Sequence, residues 1–161
     1  MNLKKSWSGK NGVEKVISRE NSVLKSLEVD VINLKKGESQ TYTEKGKEFA
    51  LIIISGKCTV KGQDFCFENI GKRKDAFDGK ATAVYIGLDT DFTVNAENDV
   101  KIMVCKSPAK NKFAVKLINP EDIAEKILGK GAYQRVAHFI IDDKVQADSL
   151  YIGEFWVSDG K

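Results

Sequence analysis

Short apolar runs, most of them stopped by a glycine- or aspartate-bearing turn, recur from Leu27 to Val157 and leave such a chain few folds to choose from. Phe49-Ala50-Leu51-Ile52-Ile53-Ile54 contains no polar residue, and its shortness and isoleucine content fit a buried strand rather than a helix. Ser55-Gly56-Lys57 closes it. Before it, Leu27, Val29 and Val31 alternate with Glu28 and Asp30 until Ile32 and Leu34 take over the apolar phase, which predicts a strand that slips at a bulge. Cys58-Thr59-Val60 and Phe65-Cys66-Phe67 flank Lys61-Gly62-Gln63-Asp64, the length and chemistry of a hairpin connection. Ala81 to Ile86, Phe92 to Val94 and Val100 to Cys105 repeat the pattern, and Val136 to Ile141 and Leu150 to Val157 return as two late strands. This spacing predicts an all-β sandwich or barrel.

One short helix is expected near residues 120–128. Asn119 can cap it, Pro120 suits its first position, Glu121 and Asp122 place negative charge at the positive end of its dipole, and Gly129 stops it. Ile123, Ile127 and Leu128 would form its buried stripe. Residues 1–12 are polar apart from Trp7 and read as a flexible arm. With 161 residues and 42% hydrophobic content, the chain can bury a core without disulfides and fits a single domain over 1–161.

The charge balance excludes several classes of function. A net charge of +3 over 26 basic and 23 acidic residues is too small and too dispersed for a nucleic-acid footprint. No apolar run reaches the roughly 18 residues of a membrane span, and the first ten residues lack the apolar stretch of a signal peptide, so a cytoplasmic location without membrane contact is expected. Cys58, Cys66 and Cys105 have no C-x-x-C spacing and read as buried, reduced thiols in strand-like contexts. Arginine is scarce: Arg19, Arg73 and Arg135 stand among 23 lysines, so a rigid guanidinium fork for a carboxylate, or a structural ion pair, is of interest at each.

Gly37-Glu38, the stretch Glu48 to Gly56, the run Gly71-Lys72-Arg73-Lys74-Asp75-Ala76-Phe77-Asp78-Gly79 and Thr82 to Ile86 carry a family resemblance. It continues through Pro120 to Ile123, Gly131, Arg135-Val136 and Ala147 to Glu154. In this order and over most of the chain after about residue 20, these residues resemble the amino-terminal half of 5-deoxy-glucuronate isomerases, a family related to 5-keto-4-deoxyuronate isomerases. The resemblance implies a cupin-type double-stranded β-helix (jelly roll), one half of a bicupin, and an aldose–ketose isomerisation in myo-inositol breakdown. It also implies a divalent metal held by a second cupin, which opens in the family with a segment of W-S-S-Y-P-P-H-K-H-D character. This sequence reaches Lys161 without that segment, so the metal-binding half is expected to be absent and no cofactor is expected in this chain.

Within the chain, a cupin site would draw two histidines and a glutamate from Gly37 to Gly56 and a third histidine from Gly87 to Ala96. Thr41 and Thr43 stand near the first two positions, Glu48 near the carboxylate and Phe92 near the third histidine, so no metal site is expected. His138 is the sole histidine and reads as a hydrogen-bonded strand residue, with a general-base role as the sharper alternative. Glu48, Glu154, Asp75 and Asp78 are further acid–base candidates whose simpler reading is exposed carboxylates. No catalytic residue is assigned. Arg73, Arg135, Glu48 and His138 are the candidates for substrate contact.

Three functions follow. The first is the non-metal scaffold half of an aldose–ketose isomerase; the second is a stand-alone, metal-free cupin that binds a sugar acid without catalysis; the third is a purely structural fragment. The expected partners are a small sugar acid and either a second copy, forming a homodimer, or a second cupin half.

Overall fold

The computed structural model describes residues 5–157. From the amino terminus the strands are β1 (Gly12–Ile17), β2 (Glu28–Leu34), β3 (Ser39–Tyr42), β4 (Lys47–Ser55), β5 (Cys58–Lys61) and β6 (Cys66–Ile70). There follow β7 (Thr82–Ile86), β8 (Phe92–Ala96), β9 (Val100–Pro108), β10 (Lys116–Ile118), β11 (Ala124–Leu128), β12 (Arg135–Ile141) and β13 (Ile152–Trp156). They form antiparallel sheets ordered β1-β2-β9-β4-β7-β10, β3-β8-β5-β6 and β11-β12-β13. Between β2 and β9 the chain crosses from the first sheet to the second and back repeatedly, so β2-β9-β4-β7 faces β3-β8-β5-β6. That alternation is the connectivity of a double-stranded β-helix, the fold implied by the family resemblance.

Two apolar layers explain the patterning. Between the facing sheets lie Ile32, Phe49, Leu51, Ile53, Val84, Ile86, Phe92, Val94, Ile102 and Val104. On the other face of the first sheet, Ala50, Ile52, Ala83, Tyr85 and Cys105 pack against Ile118, Ile123, Ile140, Ile141 and Leu150, so the three-stranded sheet closes a second core. Strand β4 is therefore covered on both sides, which is why Phe49 to Ile54 needs no polar alternation.

Four expectations change. The phase shift in β2 is not a bulge: Glu28 to Leu34 pair with Lys106 to Val100 without interruption. Both faces of β2 are covered, Val29 toward the second core and Ile32 and Leu34 toward the first. The helix near 120–128 is also overturned. Asn119 N–H donates to Asp122 Oδ2 (2.9 Å), but the turn stops after one 3-10 element, Pro120–Asp122. Residues Ala124 to Leu128 then run extended along β12, whose open edge satisfies their backbone groups better than an isolated short helix would. Cys66 is exposed rather than buried, whereas Cys58 and Cys105 are buried. Finally, regular structure starts at Gly12, and residues 5–11 are tethered, with Ser8 N–H on Glu14 and Trp7 beneath the Lys101 ammonium. The rest of the expected arm lies outside the described residues.

Two glycines bring the turn after β4 against the one after β6. Gly56 and Gly71 have φ of 84° and 106°, and a β-carbon on Gly71 would run into the Gly56 carbonyl oxygen. Gly56 N–H then donates to the Arg73 carbonyl at 3.2 Å, which anchors the basic loop that follows.

Candidate functional site

The barrel interior is filled by side chains. Tyr42 and Phe92 stack with ring centroids 5.1 Å apart, and Phe49 meets both edge-on at 5.8 and 5.2 Å. Phe92 thus sits inside the barrel, but Thr41 does not: its Oγ1 lies 2.8 Å from Thr93 Oγ1 on the exposed face of the second sheet, and Thr43 is exposed. The inward residue there is Tyr42. These stacked rings offer no ligand set for a divalent cation, and among the described residues no three His, Cys, Asp or Glu side chains are grouped so as to hold a metal ion. The donor set of this barrel does not fit a cupin-type divalent metal.

One end of the barrel holds a buried ion cluster. Lys106, fully buried, donates from Nζ to Asp30 Oδ2 (2.8 Å) and Glu44 Oε1 (3.0 Å), and Tyr42 Oη donates to the same Asp30 oxygen at 3.2 Å. Lys47 bridges Glu44 (2.6 Å) and Glu28 (3.0 Å). Burial, reinforced by the Asp30 charge, pushes the Tyr42 phenol up from its ordinary range. Burial opposes ionisation of Glu44, yet the hydrogen bonds from Lys47 and Lys106 outweigh it and hold its carboxyl below the usual value. Both ammonium groups are paired with these three carboxylates, so neither is free for catalysis. Sequence reasoning missed Asp30 and Lys106, although a signal was present: each is a charge standing two residues from an inward apolar residue, Ile32 or Val104, on adjacent strands.

Glu48 points away from the barrel, on the same side of β4 as Ala50. Its Oε1 accepts from the backbone N–H groups of Ser149 and Leu150 (both 2.7 Å) and from Ser149 Oγ (3.1 Å). Its Oε2 accepts from Tyr85 Oη (2.7 Å) and Asp148 N–H (2.8 Å). A carboxylate with five donors is a fixed clasp between β4 and the turn that launches β13, not an open ligand. Burial, then the Glu48 hydrogen bond, raises the Tyr85 phenol.

The other three candidates gather around the three-stranded sheet. Arg73 is buried, donates from Nε to the Ile53 carbonyl (2.9 Å), and grips Glu154 through Nη1–Oε2 (2.9 Å) and Nη2–Oε1 (2.6 Å). Glu154 is therefore paired, while Asp75 and Asp78 accept from backbone N–H groups of their own exposed turn. Next to Glu154 across the sheet comes His138, buried, with Nε2 2.8 Å from Glu125 Oε2 and its ring edge-on to Trp156 at 4.5 Å. Packed under that indole, the imidazole has no approach for a substrate. Arg135 is exposed, its guanidinium 5.9 Å from the Phe155 ring centre. It lies on the rim of an apolar cleft of about 370 Å³ between Phe77, Ile127, Val136 and Trp156. Only Arg135 among the four candidates keeps its charged group free for a ligand.

Residues 2–161 match the KduI/IolB family. The chain belongs to that family. Among KduI/IolB relatives, the 5-deoxy-glucuronate isomerase of Bacillus subtilis (strain 168) is 34% identical over 154 residues, covering 93% of this chain and 57% of that protein. The protein of the same name from Halalkalibacterium halodurans is 31% identical, covering 89% of this chain and 54% of that protein. An IolB-like protein of Salmonella typhimurium LT2, solved as a crystal structure, superposes with a TM-score of 0.89 at 34% identity, covering 94% of this chain and 58% of that one. The chain thus spans little more than half the length of the relatives it matches.

Proposed function

We propose that this chain is the scaffold half of a sugar-acid aldose–ketose isomerase. The substrate class is 5-deoxy-glucuronate, the setting cytoplasmic myo-inositol breakdown, and the proton transfer belongs to a second, metal-bearing cupin. One observation carries the reading: in a chain of the KduI/IolB family, Tyr42, Phe49 and Phe92 occupy the barrel interior that an active cupin would keep for its ligands.

Moving a proton between adjacent carbons requires a positioned base and a group that stabilises the developing oxyanion. In this half the buried acids and bases are committed to one another: Glu48 to a turn, Arg73 to Glu154, Lys106 to Asp30 and Glu44, His138 to Glu125. What they do is hold the barrel and the three-stranded sheet in fixed relation, which suits a support for a neighbouring site. Mixing the purified chain with the metal-binding half of the Bacillus subtilis relative tests this. Turnover of 5-deoxy-glucuronate above that of either component alone is expected. Full turnover by this chain without the other half would overturn the proposal.

A further inference from the structure

Of the six sheet edges among the described residues, five are guarded against pairing with another chain. Glu14 and Lys15 lie on β1, Lys116 on β10, Glu68 on β6, Glu125 and Lys126 on β11, and the outward residues of β3 are Ser39 and Thr41. The sixth, β13, reads Ile-Gly-Glu-Phe-Trp, and its single charge is already taken by Arg73. Beside it runs an apolar groove of about 420 Å³, floored by Ile52, Ile54, Met103 and Cys105 from the outer face of β4 and β9. Phe77, Tyr151 and Phe155 crowd its rim, 72%, 63% and 56% exposed. A patch of this kind on a water-exposed face marks an interface.

We infer that this edge and groove form a two-fold interface with a second copy of the chain, β13 pairing antiparallel with its counterpart. Three features favour a second copy as occupant. An antiparallel strand pair about a two-fold axis is self-complementary and closes without growing. Centred on Glu154, it sets Phe155 opposite Gly153 of the other copy on one face, an aromatic covering a glycine, and Trp156 opposite Ile152 on the other. The two central glutamates meet as neutralised pairs, because each is held by its own Arg73. The size is also appropriate. At about 150–250 Å² for a buried aromatic side chain, the exposed parts of Phe77, Tyr151 and Phe155 contribute roughly 300–450 Å². Met103 and Val157, 38% and 56% exposed, extend the same apolar patch toward the area per partner of a small specific interface.

The inference rests on the fold and stands whether or not the isomerase reading does. Light scattering over a dilution series, with hydrogen exchange of the β13 amides at both ends of it, provides the test. A dimer at about 20 µM is expected, with β13 protection that falls on dilution. Phe155→Lys should weaken the dimer at least about 30-fold, and Phe77→Lys should weaken it in the same sense. Circular dichroism should hold in both variants, and so should the urea midpoint measured at a concentration low enough for parent and variants to be monomeric. A monomer at about 100 µM, or a dimer that neither substitution weakens, would overturn the inference. A monomer that captures a separately prepared metal-binding half through this edge would do so too, by naming a different occupant.

Discussion

Arg73 and Glu154, 81 positions apart in sequence, close a two-point ion pair that ties the loop after β6 to the central residue of β13. Arg73 is buried and its Nε holds the end of β4, so one guanidinium joins the barrel to the three-stranded sheet. Removing one partner leaves a buried charge uncompensated, a loss of about 3–5 kcal/mol. Glu154→Gln and Arg73→Met should each lower the unfolding free energy from urea titration by that order, while the double variant Arg73→Met/Glu154→Leu should be less destabilised than the sum of single losses. Equal additivity in a double-mutant cycle would show that the two groups do not depend on each other.

Glu48 predicts a different outcome from that of a ligand-binding carboxylate. Three backbone N–H groups and two hydroxyls converge on it, so Glu48→Gln should lose about 1–3 kcal/mol of stability through unsatisfied buried donors. Hydrogen exchange should quicken first among Asp148, Ser149 and Leu150, because glutamine keeps only one of the two acceptor oxygens they share. A variant as stable as the parent would mean that the turn is held by something else.

The thiols give a test that separates exposed from buried chemistry. Burial pushes Cys58 up to about 12, with the Glu97 charge adding to it, and Cys105 up to about 11, while Cys66 is exposed. One thiol should react with a chromogenic disulfide in the native protein and three after denaturation, and Cys66→Ser should abolish the native reaction. The same shifts bear on alkaline stability. The folded state holds these protons more tightly than the unfolded chain, whose thiols titrate near 9.0. Their contribution is full below pH 9 and is lost as pH rises through 11 and 12. Stability that did not decline above pH 9 would contradict the buried placement.

Much of the fold was legible because strand length, β-branched content and glycine turns are local signals. Phe49 to Ile54, the hairpin around Lys61 to Asp64, and the late strands around Val136 to Ile141 and Leu150 to Val157 all lie where the pattern puts them. Residues 120–128 misled because capping signals act locally, whereas the pairing of Ala124 to Leu128 with β12 depends on a strand that comes later in the chain. The phase change in β2 misled because a strand covered on both faces has no polar side, and Asp30 could not be recognised as inward without Lys106 opposite its end of the barrel. Glu48 was misplaced by one step of strand parity, which turns a side chain to the opposite face. The Arg73–Glu154 and His138–Glu125 pairs were out of reach, since nothing in spacing brings those partners together.

Metal content and turnover, measured on one purified sample of the 161-residue chain after incubation with manganese or zinc, test the scaffold reading most directly. The expected result is no stoichiometric metal and a 5-deoxy-glucuronate isomerisation rate equal to the buffer blank, because Tyr42, Phe49 and Phe92 fill the barrel and the carboxylates at its end are held by Lys106 and Lys47. One equivalent of bound metal, together with turnover that survives further purification, would contradict it.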